Sequence, residues 1–171
     1  MKKYELTSDF IIVGFKKLFR IKALISFANV SEGELGGYIE KESNLNQNGN
    51  AWVSGDARVS GYAEVYGDAR VSGDAEVSGY ARVYGDARVS GYARVSGDAD
   101  YTTIKGFGTC FRTTTFFRCK DKLVRVCCGC FYGTIDEFRE QVKNTRSGKV
   151  ANEYLMIADL MEAHFKEEDN E

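Results

Sequence analysis

The chain contains 171 residues, of which 25 are acidic and 23 are basic, with 18 glycines and no proline. Its formal net charge of -2 argues against a general binder of long nucleic acid, which requires a strongly basic surface. No apolar run approaches the roughly 18 residues that cross a bilayer, so we expect no membrane-spanning helix and no membrane partner.

The cysteines and the first residues bear on the cellular compartment. An odd number of cysteines, five in all with two adjacent, favours reduced thiols over a disulfide framework. The opening segment MKKYELTSDF has no long apolar stretch and no small-residue cleavage site, so we expect no signal peptide. Both observations predict a cytoplasmic protein.

Residues 1–32 are predicted to form a small β-meander. The segments KKYEL and IIVGFKKLFRIKALISF supply its strands, with a turn near Gly14. A repetitive region follows, and the open end of such a region exposes unpaired strand edges. We therefore expect the meander to act as an N-terminal cap.

A six-residue repeat dominates residues 51–100. Alanine recurs at every sixth position from Ala51 to Ala99, and a valine lies two residues after all but the last. These valines, the predicted structural core, are Val53, Val59, Val65, Val71, Val77, Val83, Val89 and Val95. The period fits neither a helix nor a coiled coil, whereas spacings of two and four place alanine and valine on one face of an extended chain. A glycine-containing pair bends the chain once per hexad.

The repeat therefore predicts a mainly β fold, a triangular coil with three hexads per turn and a bore filled by alanine and valine. Residues 33–50 are predicted to add one irregular turn, so that the coil spans residues 33–100. Residues eighteen apart should stack along it. Two such columns alternate in charge: Arg58, Glu76 and Arg94, and Glu64, Arg82 and Asp100.

Tyrosine and arginine also stack on the predicted outer faces. The candidates for an interface there are Tyr62, Tyr66, Arg70, Tyr80, Tyr84 and Arg88. Two interpretations stand side by side. The columns stabilise the surface of the sheet, or one face is an interface, since tyrosine and arginine are enriched in interface cores.

The repeat resembles the hexapeptide-repeat family, whose fold is a left-handed parallel β-helix. The segment that leads into it resembles the YdcK-type proteins of bacteria and their phages. The matching residues are Gly36, Gly37, Tyr38, Ile39, Asn44, Leu45, Gly49, Asn50 and Trp52. The resemblance implies a left-handed coil, a homotrimer about the coil axis and a phage or prophage origin. That family has no firmly assigned biochemical activity.

Residues 101–171 are predicted to form a small α+β unit. The segments GTCFRTTTFFR and KLVRVCCGCF, joined by CKDK, have the composition of a β-hairpin. Thr134 and Glu137 form a capping box that opens a helix to about Asn144. A second, amphipathic helix presents one apolar face: Val150, Tyr154, Ile157, Ala158, Met161 and Phe165. The unit would cap the other end of the coil or dock onto a neighbouring subunit.

This C-terminal unit is locally basic and aromatic. Its candidate binding residues are Lys105, Arg112, Phe117, Arg118, Lys120, Lys122, Arg125 and Tyr132. Such a set could hold phosphates and stack bases. It is equally what a two-sided sheet shows when its aromatics point inward and its cations outward.

The cysteines of the same unit are candidate zinc ligands. Cys127 and Cys128 should point to opposite faces of a strand, so they cannot chelate as a CxxC knuckle does. A site assembled across the hairpin would use Cys110, Cys119, Cys128 and Cys130. The alternative is that these thiols are buried and pack as small apolar groups. We expect no metal and no cofactor.

Catalytic residues are not apparent in the sequence. Hexapeptide acyltransferases use a histidine as general base, but the only histidine here, His164, falls in the second predicted helix. The looped insertion that usually carries the base is also missing. We therefore expect a non-catalytic binding scaffold whose partner is a host protein, such as a defence factor, or a nucleotide signal. The alternatives are a self-assembling structural protein and, against the missing base, an acyltransferase.

Overall fold

The computed structural model describes residues 1–166, which form fifteen strands, two α-helices and two 3₁₀ turns. The first strands are β1 (Tyr4–Val13), β2 (Lys16–Ala23) and β3 (Leu35–Ile39). The short coil strands are β4 (Trp52–Val53), β5 (Arg58–Val59), β6 (Glu64–Val65), β7 (Arg70–Val71), β8 (Glu76–Val77), β9 (Arg82–Val83), β10 (Arg88–Val89) and β11 (Arg94–Val95). The last elements are β12 (Tyr101–Ile104), β13 (Thr114–Arg118), β14 (Val124–Cys128), β15 (Phe131–Thr134), α1 (Ile135–Thr145) and α2 (Gly148–Phe165).

The coil is a β-solenoid of parallel stacked strands, as the six-residue period predicts. Its first face contains β3, β5, β8 and β11, its second face β6 and β9, and its third face β4, β7 and β10. Backbone bonds join successive turns, as from Ser54 N–H to the Val71 carbonyl (2.9 Å). All eight repeat valines and the alanines from Ala51 to Ala93 are at most 1% exposed, so the bore is filled by side chains.

Residues 33–50 form the irregular first turn. Strand β3 pairs in parallel with β5, and Leu45 bridges Val65 on the second face. The amide of Asn44 is fully buried and donates to the Ala63 carbonyl (2.8 Å), supplying a bond that the missing repeat strand would otherwise make.

The N-terminal strands lie beside this first turn. β1 and β2 form an antiparallel hairpin, and β2 also pairs with β3, which is itself parallel to β5. The buried Tyr4 hydroxyl donates to the Leu45 carbonyl (2.7 Å). The buried Lys3 amine donates to the Ala51 carbonyl (2.9 Å), and burial lowers its pKa to about 8. The hairpin therefore joins the first coil through strand pairing and buried polar contacts.

The repeat ends one hexad earlier than the alanine pattern suggests. Ala99 is exposed, and residues Asp98–Asp100 form a 3₁₀ turn instead of another corner and strand. The expected stacking of Asp100 under Arg82 is therefore wrong. The Asp98 carboxylate accepts from the Arg82 backbone N–H (2.8 Å), and the Tyr101 hydroxyl donates to the Arg82 carbonyl. Side chains thus replace the next strand of the second face.

The C-terminal unit is a four-stranded antiparallel sheet packed by two helices, where the sequence predicted a two-stranded hairpin. The strand order is β12-β13-β14-β15. Strand β13 packs on both of its faces: Phe117 contacts the coil core and Phe116 contacts the helices. The predicted capping box is present: Thr134 Oγ1 accepts from the Glu137 N–H (3.2 Å), and the Glu137 carboxylate accepts from the Thr134 N–H (2.7 Å).

Candidate functional site

The second face of the coil is bounded by two stacks of tyrosine. At the corner before it, the rings of Tyr62 and Tyr80 are stacked 5.0 Å apart at 5°. At the corner after it, Tyr66 and Tyr84 are stacked 5.3 Å apart at 10°. Tyr62 is 66% exposed and Tyr80 is 75% exposed. Both predicted stacks are therefore confirmed, and they lie on opposite edges of one face.

Opposite charges lie between the two stacks. Glu64 of β6 is in register with Arg82 of β9, and both side chains are exposed. Since aromatic rings on the two edges enclose a carboxylate and a guanidinium, the face offers complementary groups to an identical surface or to a protein partner.

The third face presents like charges in register. Arg88 lies directly beside Arg70 in the β7–β10 pairing, and Trp52 of β4 lies in register on the other side of Arg70. Within residues 1–166, neither guanidinium has a carboxylate oxygen within 4.0 Å. Burial and the neighbouring Arg88 charge lower the pKa of Arg70, and Asp68 acts in the opposite direction. Stacked like charges are unfavourable, so this column favours a site for an anionic group.

Three of the six basic candidates of the C-terminal unit dock onto the coil or its terminal turn. Lys105 pairs with Asp86 (2.6 Å) and Lys120 pairs with Glu76 (3.0 Å). Arg118 approaches Asp100 (3.6 Å). These three pairs connect the unit to the coil or its terminal turn, so the structure supports the two-sided-sheet interpretation for these cations.

Other candidates of that basic and aromatic set have different surroundings. Arg125 pairs with Asp121 of its own turn (2.6 Å), and Lys122 is exposed in the same turn at φ +66°. Tyr132 is 45% exposed. Phe117 is fully buried against the coil core, so the expectation that it offers a stacking surface is corrected: it is a core residue.

The four candidate zinc ligands do not form a metal site, because Cys119 lies apart from Cys110, Cys128 and Cys130, which line one cleft without meeting metal-ligand geometry. Cys119 is buried on the coil side of the sheet, and burial raises the pKa of its thiol to about 11. Cys128 packs on the helix side and accepts from the Thr114 hydroxyl (3.1 Å). Cys110 lies in the loop after β12 instead of on the partner strand, and Cys130 lies in the turn after β14. Within residues 1–166, no three histidine, cysteine or carboxylate side chains are close enough together to hold a metal ion.

Two surfaces were missed by the sequence analysis. One is the end of the β1–β2 hairpin, where Ile12 is 70% exposed and Phe15 is fully exposed. The other is a cleft between the C-terminal sheet and helix α1, lined by Cys110, Cys130 and Arg146 among others. The apolar composition of the hairpin signalled the first, whereas the second depends on contacts between segments distant in sequence.

The only histidine lies on helix α2 and not on a face of the coil. His164 is exposed on α2, where its ring lies 4.9 Å from that of Phe165. No helix among residues 1–166 is long and apolar enough to cross a membrane.

Comparison with known proteins agrees with the architecture of the coil. The YdcK beta solenoid repeat family matches residues 81–97, which run from β9 through β11. No curated protein matches the chain. The matched segment has the same six-residue spacing as the rest of residues 51–96 and occupies all three faces. The coil of this chain is therefore a β-solenoid, and its residues 81–97 match the YdcK beta solenoid repeat.

Proposed function

We propose that the protein is a non-catalytic binding scaffold that acts through the outer faces of its coil. The observation that carries this proposal is the pair of adjacent outward arrays, the tyrosine stacks around the second face and the arginine column on the third. The bore is filled by alanine and valine, so it leaves no internal space for a ligand. Recognition must then take place on the exterior.

The second face is proposed as the contact between three copies of the chain. Tyrosines supply large contact area at low cost in conformational entropy, and they are enriched where interfaces are fully buried. The exposed Tyr62 and Tyr80 rings, together with Glu64 and Arg82, provide apolar and charged groups for such a contact. The resemblance to hexapeptide-repeat proteins supports a trimer about the coil axis.

The third face is proposed as the surface for the partner. Arg70 and Arg88 have no carboxylate oxygen within 4.0 Å in the described part of the chain. They line a groove with the hydroxyls of Ser54 and Ser72, and the carboxylates of Glu34, Asp68 and Asp86 line it too. Such donors fit an acidic surface of a host protein, or the phosphates of a nucleotide. The resemblance of residues 36–52 to YdcK-type proteins of phages supports an accessory phage or prophage protein directed at a host defence factor.

A self-assembling structural protein is the second candidate. The open ends of solenoids can add strands to one another. Both ends of this coil carry covering groups, since β2 pairs beside β3 and the Asp98 and Tyr101 side chains bond to the Arg82 backbone. End-to-end growth would have to displace these contacts, which favours a discrete scaffold.

Reversing one charge on the third face should weaken partner binding. We expect tagged wild-type protein to retain a bacterial protein or nucleotide from a cell lysate, identified by mass spectrometry. Arg88→Glu should lower this retention by about tenfold, equivalent to about 1.4 kcal/mol. Arg94→Glu makes the same change on the first face and should retain the partner. Equal retention by the two variants, or no partner for the wild type, would contradict the proposal.

A further inference from the structure

Three thiols and two guanidinium groups surround one cleft of the C-terminal unit. The cleft has a volume of about 110 Å³ and lies between the sheet, helix α1 and the loop after β12. Its lining includes Cys110, Cys128, Cys130, Arg112 and Arg146, and among residues 1–166 no carboxylate lines it. The cleft is therefore electropositive. A thiol that ionises there would supply the negative charge that balances the arginines.

Cys110 is the thiol that these charges favour as a thiolate. It is exposed, and the Thr109 hydroxyl lies 3.7 Å from its Sγ. Hydrogen bonding to Arg112 and Thr109 lowers the pKa of Cys110, and the positive charges of Arg112 and Arg146 act in the same direction. Since the thiolate is the nucleophilic form, an exposed cysteine beside arginine is the arrangement expected of a reactive thiol.

The Arg112 guanidinium also contacts the turn that carries Cys130. It packs against the backbone of Gly129, where a Cβ atom would collide with its Nη1. Gly129 has φ +64° and directly precedes the exposed Cys130. Cys110 and Cys130 together line both this cleft and the adjoining groove that contains Arg88. A second accessible thiol therefore lines the same cleft, one residue after the glycine that Arg112 contacts.

Two other cysteines, Cys119 and Cys127, have the opposite environment. Burial raises the pKa of Cys119 to about 11 and also raises the pKa of Cys127. Both pack against the coil core, away from the cleft. Thiols in such apolar surroundings are chemically inert, so Cys119 and Cys127 serve as unreactive controls within the same chain.

We propose that Cys110 is a reactive thiol that small hydroperoxides oxidise, with Cys130 as the thiol that resolves the oxidised form. The thiolate sulfur attacks one peroxide oxygen, so that an S–O bond forms as the O–O bond breaks. The departing oxygen takes a proton from water and leaves as water or an alcohol. The sulfur is oxidised to a sulfenic acid by two electrons, and the peroxide is reduced by two.

Resolution follows within the cleft. The Cys130 sulfur attacks the Cys110 sulfur, an S–S bond forms and the S–O bond breaks. The hydroxyl group leaves as water with the proton of the Cys130 thiol. The product is a disulfide between the loop after β12 and the turn after β14, which would fix that loop to the sheet.

Alkylation of the reduced protein tests the first step. With iodoacetamide at neutral pH and peptide mass spectrometry, Cys110 should react about tenfold faster than Cys130, the other exposed cysteine. Arg112→Gln should slow the alkylation of Cys110 at neutral pH but change its rate little at alkaline pH, where the thiol is ionised in both proteins. Arg112→Lys should keep part of the neutral-pH rate. Equal rates for Cys110 and Cys130, or a Cys110 rate that Arg112→Gln leaves unchanged, would overturn the proposal.

Oxidation tests the second step. One equivalent of hydrogen peroxide should give a disulfide between Cys110 and Cys130 in a non-reducing peptide map. Cys130→Ser should instead accumulate a sulfenic acid at position 110 that dimedone traps, and Cys127→Ser should behave as the wild type. A disulfide of Cys110 with Cys128, or oxidation that first occurs at Cys119 or Cys127, would overturn the assigned roles.

Discussion

Phe117→Ala is expected to lower the free energy of unfolding by about 3–5 kcal/mol, the usual cost of removing a buried phenylalanine. Phe117 is fully buried, and it packs in the same cluster as the coil core while its neighbour Phe116 packs with the helices. Its ring therefore contributes to the contact that joins the C-terminal sheet to the coil. Loss of this contact should separate the unfolding of the two parts. Chemical denaturation followed by circular dichroism measures both effects.

The matched control is Phe15→Ala at the exposed end of the β1–β2 hairpin. Phe15 is fully exposed, so its removal should change the free energy of unfolding by no more than about 0.5 kcal/mol. If both alanine variants cost the same small amount, Phe117 does not connect the coil to the sheet, and its assignment as a core residue is wrong.

Gly73→Ala should destabilise the coil by about 2–5 kcal/mol, because left-handed strain and a steric clash add. Gly73 has φ +69°, and a Cβ atom there would lie 2.9 Å from the backbone nitrogen of Gly91 in the next turn. Backbone atoms cannot rotate away as a side chain does, so neighbouring turns must separate. Thermal and denaturant unfolding of the variant measure the cost.

Gly85→Ala separates strain from clash. Gly85 has a similar φ of +64° but nothing within 4 Å of an added Cβ. We expect the free energy of unfolding of this variant to fall by only about 1–2 kcal/mol, the cost of the left-handed conformation alone. An equal loss of unfolding free energy in the two variants would mean that contacts between successive turns do not restrict the glycine bends. That result would contradict the close packing of the coil.

The coil was the most predictable part of the chain because each structural rule recurs at a fixed spacing. A period of six with small residues at its bends leaves one way to bury alanine and valine together. The in-register pairs Arg58–Glu76 and Glu76–Arg94 follow from that period alone and are confirmed. The capping box at Thr134 was equally predictable, since it depends on residues only three positions apart.

The end of the coil shows where a local pattern fails. Ala99 continues the alanine period, yet it is exposed, because the position two residues later holds Tyr101 instead of valine. Tyr101 is buried with the residues of the coil core, and its hydroxyl bonds to the Arg82 backbone. The missing valine was the available signal that the repeat had ended.

The C-terminal surface could not be predicted because its contacts span long sequence separations. Lys105, Lys120 and Arg118 formed a basic cluster in the sequence, but their carboxylate partners belong to the coil and its terminal turn. The position of Cys110 beside Arg146 likewise depends on how a loop packs against a helix. Local composition therefore predicted a binding surface where half of the basic residues instead join the C-terminal unit to the coil or its terminal turn.

The mass of the protein in solution tests the central claim that the outer faces of the coil are interaction surfaces. By sedimentation equilibrium we predict a species of three times the 19.1 kDa chain mass for the wild type. The double variant Tyr62→Ser, Tyr80→Ser should sediment as a monomer. Tyr92→Ser, which removes a tyrosine that is 64% exposed at another corner, should remain a trimer. A monomeric wild type, or a double variant that still forms the trimer, would contradict the account.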